Sequence, residues 1–177
     1  MAPTSDRTRR LVLLRHAKAE AGGDQTADEV RPLALEGRRQ SGGVGRSLLD
    51  DGLVPELALV SPAVRTRQTW ELARAAFGDA EPEVVLHDDL YTGGVTELVA
   101  LVRATDERVR SLLVVGHEPT ISQVAATLAS ADSDPAAVAR VRAGVPTATY
   151  AVLELDEHWD TLARGGARLS AVVSPGD

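Results

Sequence analysis

The 177-residue chain has no cysteine, one methionine, one phenylalanine, two tyrosines and two tryptophans. Without thiols it can form no disulfide, no thiolate metal site and no cysteine nucleophile. Long apolar runs are missing as well. None approaches the roughly 18 residues of a membrane helix, and the run at 11–14 behind Arg9 and Arg10 is shorter than the about 7 to 15 residues of a signal-peptide core. An excess of positive charge is also absent: 19 basic against 26 acidic residues give a net charge of -7. That balance argues against a general nucleic-acid or membrane-surface binder. A soluble, cytoplasmic protein with neither nucleic acid nor membrane as partner is expected.

What is present is 44% apolar residues, enough to build one core. No repeat or linker divides the chain. We read 1–9 as a disordered tail and 10–177 as a single domain. Short apolar runs at 11–14, 57–60, 84–86 and 112–115 have the character of buried strands, and helical spacing follows most of them. Segments 147–155 and 167–173 read as two later strands. The alternation indicates an α/β fold, a three-layer α/β/α sandwich around a mostly parallel central sheet. Ser61 and Pro62 have the pattern of an N-cap followed by proline at the first helical position. A second strand-to-helix corner runs through Gly116, His117, Glu118 and Pro119 into 121–130, and Asp134-Pro135 opens another helix. Between 33 and 49 the pattern is helical but weak, since Gly37, Gly42, Gly43 and Gly45 each cost up to about 1 kcal/mol relative to alanine.

Three corners carry side chains ill suited to purely structural work: Arg15 and His16 after the first strand, Arg65 after the second, and His117 after the run at 112–115. Ligands of open α/β sheets bind at the carboxyl ends of the strands. Convergence there would gather two guanidinium groups and two imidazoles, a phosphate seat with a nucleophile in it. The planar fork of arginine suits phosphoryl oxygens, and hydrogen bonds to charged groups contribute about 1.5 to 3 kcal/mol each. Taken alone, His16 reads as a hydrogen-bonded strand-end histidine and Arg65 as a solvated helix residue. Their order together with Arg15 and His117 reverses that reading.

These residues resemble a known family. LVLLRHAKAE at 11–20 is similar to the signature of the histidine phosphatase superfamily, with Ala17 where glycine is common. SPAVRTRQT at 61–69 resembles its second arginine motif, and Gly116-His117-Glu118-Pro119 its second histidine motif. Arg31-Pro32-Leu33 followed by Gly37 resembles the small SixA-like branch, the phosphohistidine phosphatases. The resemblance implies a phosphoglycerate mutase-like fold with His16 as nucleophile, Arg15 and Arg65 as phosphate ligands, and His117 as a further phosphate contact. Arg31 is carried over to the pocket rim; its alternative is a surface ion pair with Asp28 or Glu29. No cofactor and no metal is implied. The four histidines also lack the spacing typical of zinc ligands.

The chemistry that follows is transfer of a phosphoryl group to His16 and then to water. Family members acting on phosphate esters often have an acidic residue that protonates the leaving oxygen. Asp88, Asp89 and Glu97 are candidates here, but none sits in a matching motif, and Glu118 is a further possibility. An imidazole leaving group, with a pKa near about 6.5, needs less help than an alkoxide. The expected substrate is therefore phosphohistidine in a protein, such as a phosphotransfer domain in signal transduction. The alternatives are a small phosphate ester as substrate, or a non-catalytic module that binds phosphorylated ligands. His87 and His158 are expected at the surface or in structural roles, Trp70 and Trp159 in packing, and Gly22-Gly23 in a flexible turn.

Overall fold

The computed structural model describes residues 8–176. In chain order its elements are β1 (Arg9–Arg15), α1 (Leu35–Asp50), β2 (Leu57–Val60), α2 (Val64–Arg74), β3 (Glu83–Leu86), α3 (Asp89–Thr92), α4 (Val95–Arg103), β4 (Ser111–Gly116), α5 (Thr120–Leu128), α6 (Pro135–Ala143), β5 (Tyr150–Leu155) and β6 (Arg168–Val173). The strands form one sheet in the order β3-β2-β4-β1-β5-β6. β1 through β4 run parallel, whereas β5 pairs antiparallel with both β1 and β6.

β1 lies inside the sheet and is buried on both faces, which is why its sequence is continuously apolar rather than alternating. Leu11 and Leu13 pack with α4, α5 and α6 on one face. Val12 and Leu14 pack with α1 and α2 on the other. Each large aliphatic side chain so buried contributes about 1.5 to 3 kcal/mol. These two cores make the three layers, as the sequence pattern indicates. Trp70 and Trp159 are both buried in them, and His158 is exposed beside Glu107. Among the described residues no helix is long and apolar enough to cross a membrane.

The glycines that weaken α1 locally are points of close approach. A Cβ on Gly37 would lie 2.0 Å from the carbonyl oxygen of Lys18, and one on Gly45 would lie 2.1 Å from that of Ala73. The first contact seats α1 against the loop that follows His16, and the second seats it against α2.

Five local expectations change. The run at 84–86, expected to be buried, forms the edge strand β3, with Val84 and Leu86 exposed. α2 begins at Val64 with Ala63 at the cap position and no side-chain cap, so Ser61 is free for another partner. The strand read from 147 begins at Tyr150. The preceding residues instead turn through Ala148, at φ 54°, and bind back to β1. Arg9, assigned to the tail, belongs to β1 and is 3% exposed; the tail reading for 1–7 lies outside the described residues. α4 is a helix that the apolar runs do not announce. Asp134 does cap α6, accepting a hydrogen bond from the Ala137 amide at 2.8 Å.

Candidate active site

The parallel strands end together, and the functional side chains stand on those ends. His16 follows β1; its amide donates to the Gly116 carbonyl at the end of β4, and its carbonyl accepts from the Ala148 amide. The nucleophile candidate is thus tied to the neighbouring strand and to the 145–149 loop. Its ring Nδ1 lies 2.7 Å from the carbonyl oxygen of Ala17. A carbonyl can only accept, so Nδ1 carries the proton and Nε2 holds the lone pair.

Arg15 donates through Nη1 to the Val145 carbonyl at 2.7 Å, while its Nε is buried with no partner among the described residues. Arg65 stands in the first turn of α2. Its Nη1 and Nη2 donate to the backbone carbonyl and Oδ2 of Asp28, at 2.8 and 2.9 Å. Nη2 also lies 3.3 Å from Nδ1 of His117. The His117 ring is 5.2 Å from that of His16, centroid to centroid, and its Nε2 is 2.8 Å from the Ser61 hydroxyl. Arg15, His16, Arg65 and His117 therefore meet in one pocket.

Asp28 closes one side of it. This residue begins a single turn of 3-10 helix, Asp28–Val30, and its carboxylate accepts from Arg31 at 2.8 Å, Arg65 at 2.9 Å and the Tyr91 hydroxyl at 2.9 Å. The Tyr91 ring packs against His117. Arg31 consequently makes the ion pair with Asp28 and lies close enough for its charge to be felt at His16; the two readings of Arg31 are compatible.

No protein-family model matches the sequence. The chain is 38% identical over 157 residues to an uncharacterized Mycobacterium tuberculosis protein, covering 88% of this chain and 96% of that one. It is 30% identical over 126 residues to the phosphohistidine phosphatase SixA of Escherichia coli, covering 71% and 77%. Among solved structures, one described as a phosphohistidine phosphatase SixA from Nakamurella multipartitia superposes with a TM-score of 0.82 at 34% identity, over 95% of this chain and 96% of the other. A protein histidine phosphatase SixA complexed with tungstate gives 0.75 at 26% identity, over 94% and 97%. The chain belongs to the SixA branch of the histidine phosphatase superfamily. The phosphoglycerate mutase-like fold and phosphatase activity go with that membership.

In this SixA-branch pocket both imidazoles are held neutral. Burial pushes the pKa of His16 down to about 4; the charges of Arg65, Arg15 and Arg31 add to that, while the hydrogen bond to Ala17 opposes it. Desolvation therefore outweighs the arginines. Burial likewise pushes His117 down to about 3, helped by His16 and Arg65 and opposed by Asp28. The hydrogen bond from Arg31, with those from Tyr91 and Arg65, holds Asp28 at about 2. Asp28 is ionised at neutral pH.

Asp88, Asp89 and Glu97 are exposed, and none hydrogen-bonds to Arg15, His16, Arg65 or His117 among the described residues. Glu97 caps α4, accepting from the Gly94 amide at 2.7 Å. Glu118 accepts from the Ser122 amide and hydroxyl and from the Val145 amide, at 2.8, 2.7 and 3.2 Å. Sequence reasoning missed the positions Asp28 and Tyr91 take, and it gave Ser61 the wrong task. Asp28 three residues before Arg31 was the available signal. Outside the pocket, Glu107, His158 and Asp160 place ligand atoms within 4.8 Å of one another, but Arg9 pairs with Glu107 at 2.7 Å, which makes this an ion-pair cluster.

Proposed function

We propose that the chain is a phosphohistidine phosphatase that acts on phosphorylated proteins, phosphotransfer domains of signalling relays among them, through a phosphoryl-His16 intermediate and without a metal. The observation that carries this reading is the bond from Nδ1 of His16 to the Ala17 carbonyl. It fixes the tautomer, and the low pKa keeps Nε2 unprotonated at neutral pH.

In the first step the Nε2 lone pair attacks phosphorus. The substrate ring carries a proton from solvent on its other nitrogen, so as its bond to phosphorus breaks the electron pair stays on the ring and it leaves as neutral imidazole. Water then attacks phosphorus, the bond to Nε2 breaks with its electrons returning to His16, and inorganic phosphate leaves. Arg15 Nε, a buried donor with no partner, and Arg65 face the charge on the equatorial oxygens; positioned charge of this kind is what phosphoryl transfer asks of a protein. Nη2 of Arg65 can only donate, so Nδ1 of His117 accepts from it and the Nε2–H of His117 is donated to the Ser61 hydroxyl, which holds the ring in place beside the phosphoryl site. That a related SixA was obtained with tungstate, a tetrahedral oxyanion like phosphate, supports the seat.

Asp28 supports the nitrogen leaving group. Among the described residues it is a carboxylate hydrogen-bonded to Arg65 of the pocket, and with a pKa of about 2 it has no proton to give an alkoxide at neutral pH. An imidazole already protonated by solvent on its distal nitrogen departs without an acid at the breaking bond. The test uses a histidine-phosphorylated phosphotransfer domain carrying labelled phosphate. The wild type is expected to release phosphate and to show an acid-labile phosphoenzyme, and His16→Ala to lose both. Normal turnover by His16→Ala would refute the proposal, as would turnover of sugar phosphates far faster than of phosphohistidine.

A further inference from the structure

A groove runs over α4, α5 and α6, formed by two clefts of about 710 and 760 Å³ that share Val95, Thr127 and Arg164. One end abuts the phosphate pocket. Glu118 and Pro119 of its wall directly follow His117, and Gly144 directly precedes Val145, whose carbonyl holds Arg15. The floor is apolar, with Val95, Val99 and Ala126 half-buried.

The rim is cationic. Arg142, in the last turn of α6, and Arg164, before β6, are exposed. Neither guanidinium has a hydrogen bond or ion pair among the described residues. Arg103 donates to a backbone carbonyl, that of Asp160 at 3.0 Å, which leaves its charge unneutralised. The lining also holds two carboxylates, Glu118, which accepts from Ser122 and Val145, and Asp160 beside Arg103, so the three arginines leave the groove with a net positive charge. Three arginines around an apolar floor stand out on a chain of net charge -7. An acidic partner is repelled by the molecule as a whole and attracted here, which both orients and selects it. The guanidinium fork suits carboxylates, and an apolar groove suits the apolar stripe of an amphipathic helix.

We propose that this groove docks an acidic amphipathic segment of the phosphohistidine-bearing protein and so presents its phosphoryl group to His16; the inference rests on the function proposed above. The pocket residues grip the phosphoryl group, and the groove recognises the protein that carries it. Binding at the groove acts on KM for a protein substrate and leaves a small substrate untouched.

The test compares the wild type with the double variant Arg142→Glu/Arg164→Glu on two probes: free phosphohistidine, and a histidine-phosphorylated phosphotransfer domain with an acidic helix beside its histidine. For the domain, KM is expected to rise about tenfold or more with kcat within about twofold, and the wild-type KM to rise with salt. Free phosphohistidine should be turned over equally by both proteins. An unchanged KM for the domain, or an equal loss on both probes, overturns the docking site while leaving the phosphatase reading in place. If the wild type hydrolyses neither probe, the function and the groove fall together. If the wild type sediments as a dimer and the variant as a monomer with KM unaltered, the groove belongs to a second copy of the chain and the proposal is overturned.

Discussion

Acidification should unfold this protein through His16, and the size of the effect follows from its surroundings. Folded, His16 titrates at about 4; the ordinary value of 6.5 applies when the chain is unfolded. Above both values the ring is neutral in either state and nothing is lost. As the pH falls below 6.5 the unfolded chain takes up a proton that the buried ring refuses, so stability declines until the folded pKa is reached. At about pH 4.5 the difference amounts to roughly 2.5 kcal/mol, a large share of the ~5 to 15 kcal/mol that holds a domain folded. His16→Gln removes this proton and keeps a side chain of comparable size. Urea titrations at about pH 7.5 and about pH 4.5 give the loss for each protein, and the variant should lose about 2 kcal/mol less than the wild type. His117, also held neutral, contributes to both proteins and largely cancels. Equal losses would mean that His16 titrates as a solvated histidine, and the argument for a buried neutral nucleophile would fail.

Asp28→Ala releases Arg65, Arg31 and Tyr91 at once, and should lower kcat/KM about 10- to 100-fold by misplacing Arg65. Folding stability should fall by about 1 to 3 kcal/mol, because the Asp28 end of these pairs is exposed but Arg65 is buried and loses its carboxylate partner. Steady-state kinetics beside urea melts separate the two effects, and an unaltered kcat/KM would deny Asp28 a positioning role. Gly45→Ala forces a methyl group onto the Ala73 carbonyl and should cost about 2 to 4 kcal/mol. A loss below about 0.5 kcal/mol in the same melts would show that α1 and α2 separate freely.

The strands were legible because burial on both faces leaves a continuous apolar run, as in β1, β2 and β4. Their direction was not: β5 and β6 run antiparallel to their neighbours, and an apolar run carries no sign. Arg15, His16, Arg65 and His117 could be read because strand ends and helix starts place them locally. Asp28 and Tyr91 could not, since they reach the pocket from an isolated turn and a four-residue helix by contacts across 37 and 63 positions. Glu97 has a backbone task that the sequence does not display. A glutamate three residues into a helix that starts at glycine serves the backbone, and without the helix in view its carboxylate has the look of a free acid. The same holds for the glycines of α1, because their lost propensity is visible in sequence and the backbone they admit is not.

The pocket has two walls of unequal stiffness. His16 and Arg15 sit at the end of a strand laddered on both sides, by β4 and by β5, whereas Asp28 rides on one exposed turn. Local opening follows such differences, so amide exchange should be slowest along β1 and fastest around Asp28. In the proposed reaction the phosphoryl group would meet a stiff wall on one side and a yielding one on the other, so that exchange of substrate and product would call on the turn at Asp28 rather than on His16.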